Sequence, residues 1–134
     1  MLDEVLGVMA RFVSIPVFAA VLAGCITPSI PIPPPDPSDM TFDISVDPNG
    51  SSTAVLTYPA DSIYANGTVY LQNHSTGFGV FQPVNADDSI GPTQPLGAKA
   101  GDEIVVTIGT PDQTVSTCIV LRQGIQDPTA QCTF

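Results

Sequence analysis

From Thr41 to Phe134 the sequence predicts an all-β domain, an antiparallel β-sandwich of about seven short strands. Three observations carry this. Apolar and polar residues alternate with period two in several short runs. Turn-forming Gly, Pro, Asn and Asp separate those runs. No segment has the 3.6-residue periodicity of an amphipathic helix.

The strands follow in order. Phe42, Ile44 and Val46 alternate with Thr41, Asp43, Ser45 and Asp47, which buries one face. Asp47-Pro48-Asn49-Gly50 places Asp, Pro and Gly where a type I turn favours them. Ser52 to Tyr58 pairs back, with Ala54, Leu56 and Tyr58 on one side. Pro59-Ala60-Asp61-Ser62 interrupts it, and Ile63-Tyr64 is either a short strand or part of the loop. A third strand runs from Gly67 to Asn73. Thr76-Gly77 turns the chain, and Gly79-Val80-Phe81-Gln82 begins a fourth. Asp87-Asp88-Ser89 is another turn. Pro92 and Pro95 exclude a central strand and put the next stretch at a sheet edge. Ala100-Gly101-Asp102-Glu103 leads into Ile104–Ile108, and Thr110-Pro111-Asp112-Gln113 into Val115–Leu121. A final short strand is expected to end at Cys132-Thr133-Phe134.

Ahead of this domain lies a different kind of sequence. Phe12 to Gly24 is apolar apart from Ser14 and Pro16, a run of about 13 residues, long enough for the core of an export signal and too short to span a bilayer. Arg11 supplies a positive flank. Asp3 and Glu4 do not suit such a flank, and a translation start at Met9 rather than Met1 would remove them. Val21-Leu22-Ala23-Gly24-Cys25 closes the run and resembles the lipobox of bacterial lipoproteins. Ala23 and Gly24 are small enough for extended entry into a protease groove, and the Cys25 thiol is the nucleophile beside the cut.

That resemblance implies three things. Residues 1–24 are a signal peptide. Cys25 carries a diacylglycerol thioether, with a further fatty acyl group such as palmitate on its amine. Two or more acyl chains hold a protein stably at a membrane, where one holds it marginally. Ile26, in place of an Asp after the Cys, points to the outer membrane of a bacterial cell envelope. The competing reading is an uncleaved signal anchor, which leaves Cys25 unmodified.

Residues 25–40 then form a linker. Ile30-Pro31-Ile32-Pro33-Pro34-Pro35-Asp36-Pro37 favours polyproline II, a semi-rigid spacer that holds residues 41–134 off the membrane. A docking site for a proline-reading partner is the alternative.

Cysteine count and charge bound the rest. With Cys25 taken by lipid, Cys118 and Cys132 remain as an even pair, and an oxidising exterior makes a disulfide of them. It would close a loop of roughly 15 residues and contribute on the order of 3 kcal/mol in the chain-entropy model. The alternative is two reduced core cysteines. The formal charge is -10, from 13 acidic and 3 basic residues. Losing Asp3, Glu4 and Arg11 with the leader leaves 11 acidic and 2 basic groups, net -9. With no basic patch, such a surface repels nucleic acid.

Residues 67–116 resemble bacterial extracellular immunoglobulin-like modules. The likeness rests on Gly67-Thr68-Val69-Tyr70-Leu71-Gln72-Asn73, on Thr76-Gly77, on Ala86-Asp87-Asp88-Ser89-Ile90, and on Lys99-Ala100-Gly101-Asp102-Glu103-Ile104-Val105-Val106. Asp112-Gln113-Thr114-Val115-Ser116 completes it. The chain departs at Asp88, where that pattern has Gly, and at Ile90, where it has an aromatic. The resemblance implies an immunoglobulin-like sandwich in an extracellular setting and names no ligand.

Candidate chemistry is sparse. His74 is the chain's one histidine, and a serine triad would need it beside a nucleophile. Ser75 is its sequence neighbour, on a strand an opposite-facing one, so His74 is expected as an exposed turn residue and no enzymatic activity is expected. Asp87, Asp88, Asp102, Glu103 and Asp112 lie in turns where oxygen ligands could hold Ca²⁺, although turn carboxylates also serve the local backbone. No cofactor is expected. If Val69 and Leu71 face the core, Tyr70 faces outward, and with Phe78 it forms a candidate contact for a sugar or a protein. Core or inter-strand packing is the competing role for these rings. The expected function is that of a non-catalytic, lipid-anchored envelope module for adhesion, scaffolding or protein interaction. The alternative is a carbohydrate- or Ca²⁺-binding surface lipoprotein. The partners are the membrane, through the lipid on Cys25, and an envelope protein or glycan whose identity the sequence leaves open.

Overall fold

The computed structural model describes residues 30–134. The expected signal peptide, the alternative starts Met1 and Met9 and the Leu22-Ala23-Gly24-Cys25 motif lie outside the described residues. One compact unit runs from Pro31 to Phe134.

Eight strands form it: β1 (Thr41–Val46), β2 (Ser52–Thr57), β3 (Thr68–Asn73), β4 (Gly79–Pro83), β5 (Leu96–Gly97), β6 (Glu103–Gly109), β7 (Thr114–Val120) and β8 (Gly124–Ile125). They make two antiparallel four-stranded sheets, in the orders β5-β2-β1-β8 and β4-β3-β6-β7. The sheets pack face to face as a sandwich. The expected alternation supplies the core. Phe42 on β1, Ala54 and Leu56 on β2, Val69 and Leu71 on β3, and Ile104, Val106 and Ile108 on β6 are all buried.

Local chemistry sets the turns. Asp47 accepts from Asn49 N and Ser51 N through Oδ1, each at 2.9 Å, and Gly50 N closes the turn on Asp47 O at 3.0 Å. Asp88 adopts φ 69°, the left-handed region that Gly enters more easily than Asp. Gly91, at φ 82°, passes so close to β2 that a Cβ would collide with the Leu56 carbonyl oxygen.

Ile63-Tyr64, left open between a short strand and part of the loop, is no strand; Ser62–Tyr64 is a 3-10 turn capped by the Asp61 carboxylate. Cys132-Thr133-Phe134 is no strand either. The eighth strand is Gly124–Ile125, which pairs with Thr41 and Phe42 of β1, and the chain beyond it continues as an irregular tail. Buried Gln126 holds this corner, donating to Arg122 O and Gly124 O at 2.7 Å each and accepting from Arg122 N at 3.1 Å.

A further correction concerns the stretch expected to stand off as a spacer. The compact unit begins at Pro31 rather than Thr41. Ile32 N donates to Gln113 Oε1, Tyr64 Oη donates to Pro33 O, and Thr117 Oγ1 donates to Pro35 O, at 2.9, 2.8 and 2.6 Å. Asp36 N donates to Tyr58 Oη at 3.2 Å, and Met40 is fully buried. Proline's missing N–H explains the fit. A proline-rich strap presents carbonyls without donors of its own, and the side chains of Tyr64 and Thr117 supply the donors. Removal from water pushes the Tyr58 and Tyr64 phenols above the ordinary tyrosine range.

The aromatics divide between the two roles left open for them. Tyr58 and Tyr64 are core rings in edge-to-face contact at 6.1 Å. Tyr70, Phe78 and Phe81 are exposed.

Candidate functional site

Two surface features gather the candidate residues. The first is the outer face of the β4-β3-β6-β7 sheet. Period two puts Val69 and Leu71 inward, and Tyr70 between them outward at 47% exposure. Its ring neighbour is Phe81, at 6.1 Å and 32°, from the paired position on β4. The sequence pairing of Tyr70 with Phe78 therefore gives way to Tyr70 with Phe81. The register carries this row on through Thr107 to Ser116, whose hydroxyls bond at 2.8 Å. The Tyr70 ring lies beside Gly109, its Cε2 3.7 Å from where a Cβ would stand, an ordinary contact distance. The flanking rows are Gly79–Gln72–Val105–Cys118 and Pro83–Thr68–Gly109–Thr114. None of these twelve positions carries a charge, on a chain of formal charge -10.

The C-terminal tail closes one end of this face. Cys118 on β7 is disulfide-bonded to Cys132, 14 residues on. The disulfide thus joins a strand to the tail, and does not cross between the sheets. Glu103 Oε1 accepts from Thr133 N at 2.9 Å and Thr133 Oγ1 at 2.6 Å, which holds its carboxyl below the usual glutamate range. Phe134 then stacks on His74 at 3.8 Å. His74 is exposed, as expected, and the neighbouring Ser75 hydroxyl accepts from Glu103 N.

The second feature is an open groove of about 470 Å³ at the end of the sandwich where the β1–β2 and β3–β4 turns meet the β5–β6 connection. Phe78 stands at its side, 66% exposed, with Cδ2 3.7 Å from the position of a Gly97 Cβ. Asp102 and Lys99 also line it. Asp102 is almost fully buried. Its Oδ2 accepts from Asn73 Nδ2 at 2.8 Å and Lys99 N at 3.1 Å. Asn73 is itself buried, and also donates to Gly97 O at 3.0 Å. One amide thus ties the end of β3 to β5 and to the turn before β6. Sequence reasoning passed over Asn73 except as a strand end; an Asn closing an alternating strand just before a turn was the available signal.

The calcium candidates are not assembled. Among the described residues no three His, Cys, Asp or Glu side chains come together. Asp87 serves its own turn, accepting from Ser89 N and Oγ at 3.0 and 2.5 Å, and these bonds lower its carboxyl below the usual aspartate range. Asp102 is engaged with Asn73 Nδ2 and Lys99 N, and its neighbour Glu103 with Thr133. Asp88 and Asp112 belong to separate turns at the other end of the sandwich, beside the β4–β5 and β6–β7 connections.

The chain matches no protein-family model, no curated protein and no solved structure.

Proposed function

We propose that this protein is a non-catalytic binding module of the bacterial cell envelope, an immunoglobulin-like sandwich tethered by lipid on Cys25, which engages an envelope protein through Tyr70 and Phe81. The observation that carries the binding role is the uncharged row Phe81–Tyr70–Thr107–Ser116, with its two neighbouring rings exposed to solvent. Large amphipathic rings contribute contact area at small entropic cost. A charge-free window on a strongly acidic protein lowers the desolvation cost of docking there. The immunoglobulin-like reading is supported by the architecture. Two antiparallel sheets, β5-β2-β1-β8 and β4-β3-β6-β7, pack as the sandwich architecture that module class shares. The lipid anchor rests on the Leu22-Ala23-Gly24-Cys25 motif and its apolar run.

Two measurements test this. Mass spectrometry of the native protein should find an N-terminus at acylated Cys25. A photo-crosslinker placed at Tyr70 in living cells should trap one defined envelope protein, and the same probe at Thr57, on the opposite sheet, should not. Equal yields from both positions would remove the face from the proposal, and an unprocessed, unacylated N-terminus would remove the anchor.

A further inference from the structure

The groove beside Phe78 has a chemistry distinct from the sheet face. Asp102 is 6% exposed, and both of its side-chain hydrogen bonds fall on Oδ2. Oδ1 accepts none, and Asp102 is one of the residues that line the groove. Lys99, the chain's one lysine, lines the same groove. One acid and one base cancel, so the groove is locally neutral on a protein of formal charge -10. The remaining lining is a phenyl ring, Phe78, and small hydroxyl side chains such as Ser51 and Thr53.

We propose that this groove binds a neutral saccharide. A sugar hydroxyl both donates and accepts, so one ligand type satisfies both groups: it donates to Asp102 Oδ1 and accepts from Lys99 Nζ. The C–H face of a pyranose covers the Phe78 ring. Asn73 holds the carboxylate in place before the ligand arrives, which spares ordering cost. An acidic sugar fits less well, since the surrounding acidic surface repels it. At about 470 Å³ the groove suits a short saccharide rather than a protein segment. This site stands apart from Tyr70 and Phe81 and requires neither the lipid nor the sheet-face partner.

The test titrates the full-length protein with cellotetraose, maltotetraose and chitotetraose, followed by calorimetry and by amide NMR shifts. Tetragalacturonate and a zwitterionic dipeptide are the comparison ligands. At least one neutral tetramer should bind saturably below roughly 10 mM, shifting the amides of Phe78, Gly97 and Lys99. Phe78→Ala and Lys99→Ala, both at exposed side chains, should each weaken it on the order of tenfold. Tyr70→Ser should leave it unchanged. Unaltered thermal melts of the two groove variants exclude misfolding as the cause. The proposal is overturned if none of the neutral tetramers saturates, if only the acidic tetramer or the dipeptide binds, or if the shifts map to Tyr70 and Phe81.

Discussion

Asn73 Nδ2 donates to Asp102 Oδ2 at 2.8 Å, joining a buried amide at the end of β3 to a buried carboxylate just before β6. The same nitrogen reaches Gly97 O on the opposite sheet, and Oδ1 accepts from Ser75 N at 2.9 Å. The amide thus clamps both sheets and the β3–β4 turn at one end of the sandwich. Replacing it leaves the Asp102 carboxylate and the Gly97 carbonyl without this donor. Asn73→Ala is expected to cost about 1–3 kcal/mol, measured as a lower urea midpoint at unchanged slope. A variant as stable as the parent would show that water replaces the amide without penalty.

The Cys118–Cys132 bond is a tail staple, so its effect should be local as well as global. Cys118→Ser with Cys132→Ser should lower stability on the order of 3 kcal/mol, the loop-closure expectation for a link of this length. Amide exchange should accelerate chiefly from Asp127 to Phe134, since the eight strands keep their ladders. Uniform acceleration across β3 and β6 would instead place the staple in the core's cooperative unit.

Glu103 offers a pH-dependent version of the same release. Hydrogen bonds from Thr133 depress its carboxyl pKa in the folded protein. A depressed acid contributes stability that is full above the unfolded value, ordinarily 4.5 for this group, and that fades as pH falls through the lower folded value. Exchange at the Thr133 amide should therefore hold steady at neutral pH, once intrinsic exchange rates are divided out, and rise only below the ordinary glutamate range. Glu103→Gln should show the looser tail at all pH values. A Thr133 amide that already loosens well above the ordinary glutamate range would show that the Glu103 carboxylate is not what holds the tail.

The proline-rich strap is tied by side-chain donors, and each is a separable contact. Tyr64→Phe removes the bond to Pro33 O and is expected to cost about 1 kcal/mol. Thr117→Val removes the bond to Pro35 O, for a similar loss. Limited proteolysis ahead of Met40 should quicken in both variants, more so in the double variant. Cleavage at the parent rate in all three would mean that Ile32 N and Asp36 N hold the strap without them.

Much of the β architecture is legible residue by residue, because the signals are local. Alternation places Phe42, Leu56, Val69 and Leu71 inward and Tyr70 outward whatever the topology, since successive side chains point to opposite faces. Asp47-Pro48-Asn49-Gly50 forms its turn from its own side chains and backbone. Pro92 and Pro95 leave only a two-residue strand, Leu96–Gly97, and that strand lies at a sheet edge. The errors fall where local signals compete with distant partners. Cys132-Thr133-Phe134 has strand-forming residues but is drawn to Cys118, Glu103 and His74, far back in the chain. Pro31–Met40 has the composition of a free spacer, yet finds Tyr58, Tyr64 and Thr117 across the opening between the sheets.

What the sequence determined alone was the all-β class, most strand and turn positions, the inward and outward assignment within β1, β2 and β3 except at Val46, which is exposed, and the even pair of cysteines. Tertiary structure decided which outward residues became neighbours. Phe81 rather than Phe78 lies beside Tyr70 because strand register matches positions 70 and 81. Phe78 meets Lys99 and Asp102 because the β3–β4 turn and the β5–β6 connection converge at one end of the fold. Side-chain direction follows from two bonds of local backbone, whereas juxtaposition across strands depends on the pairing of segments distant in sequence.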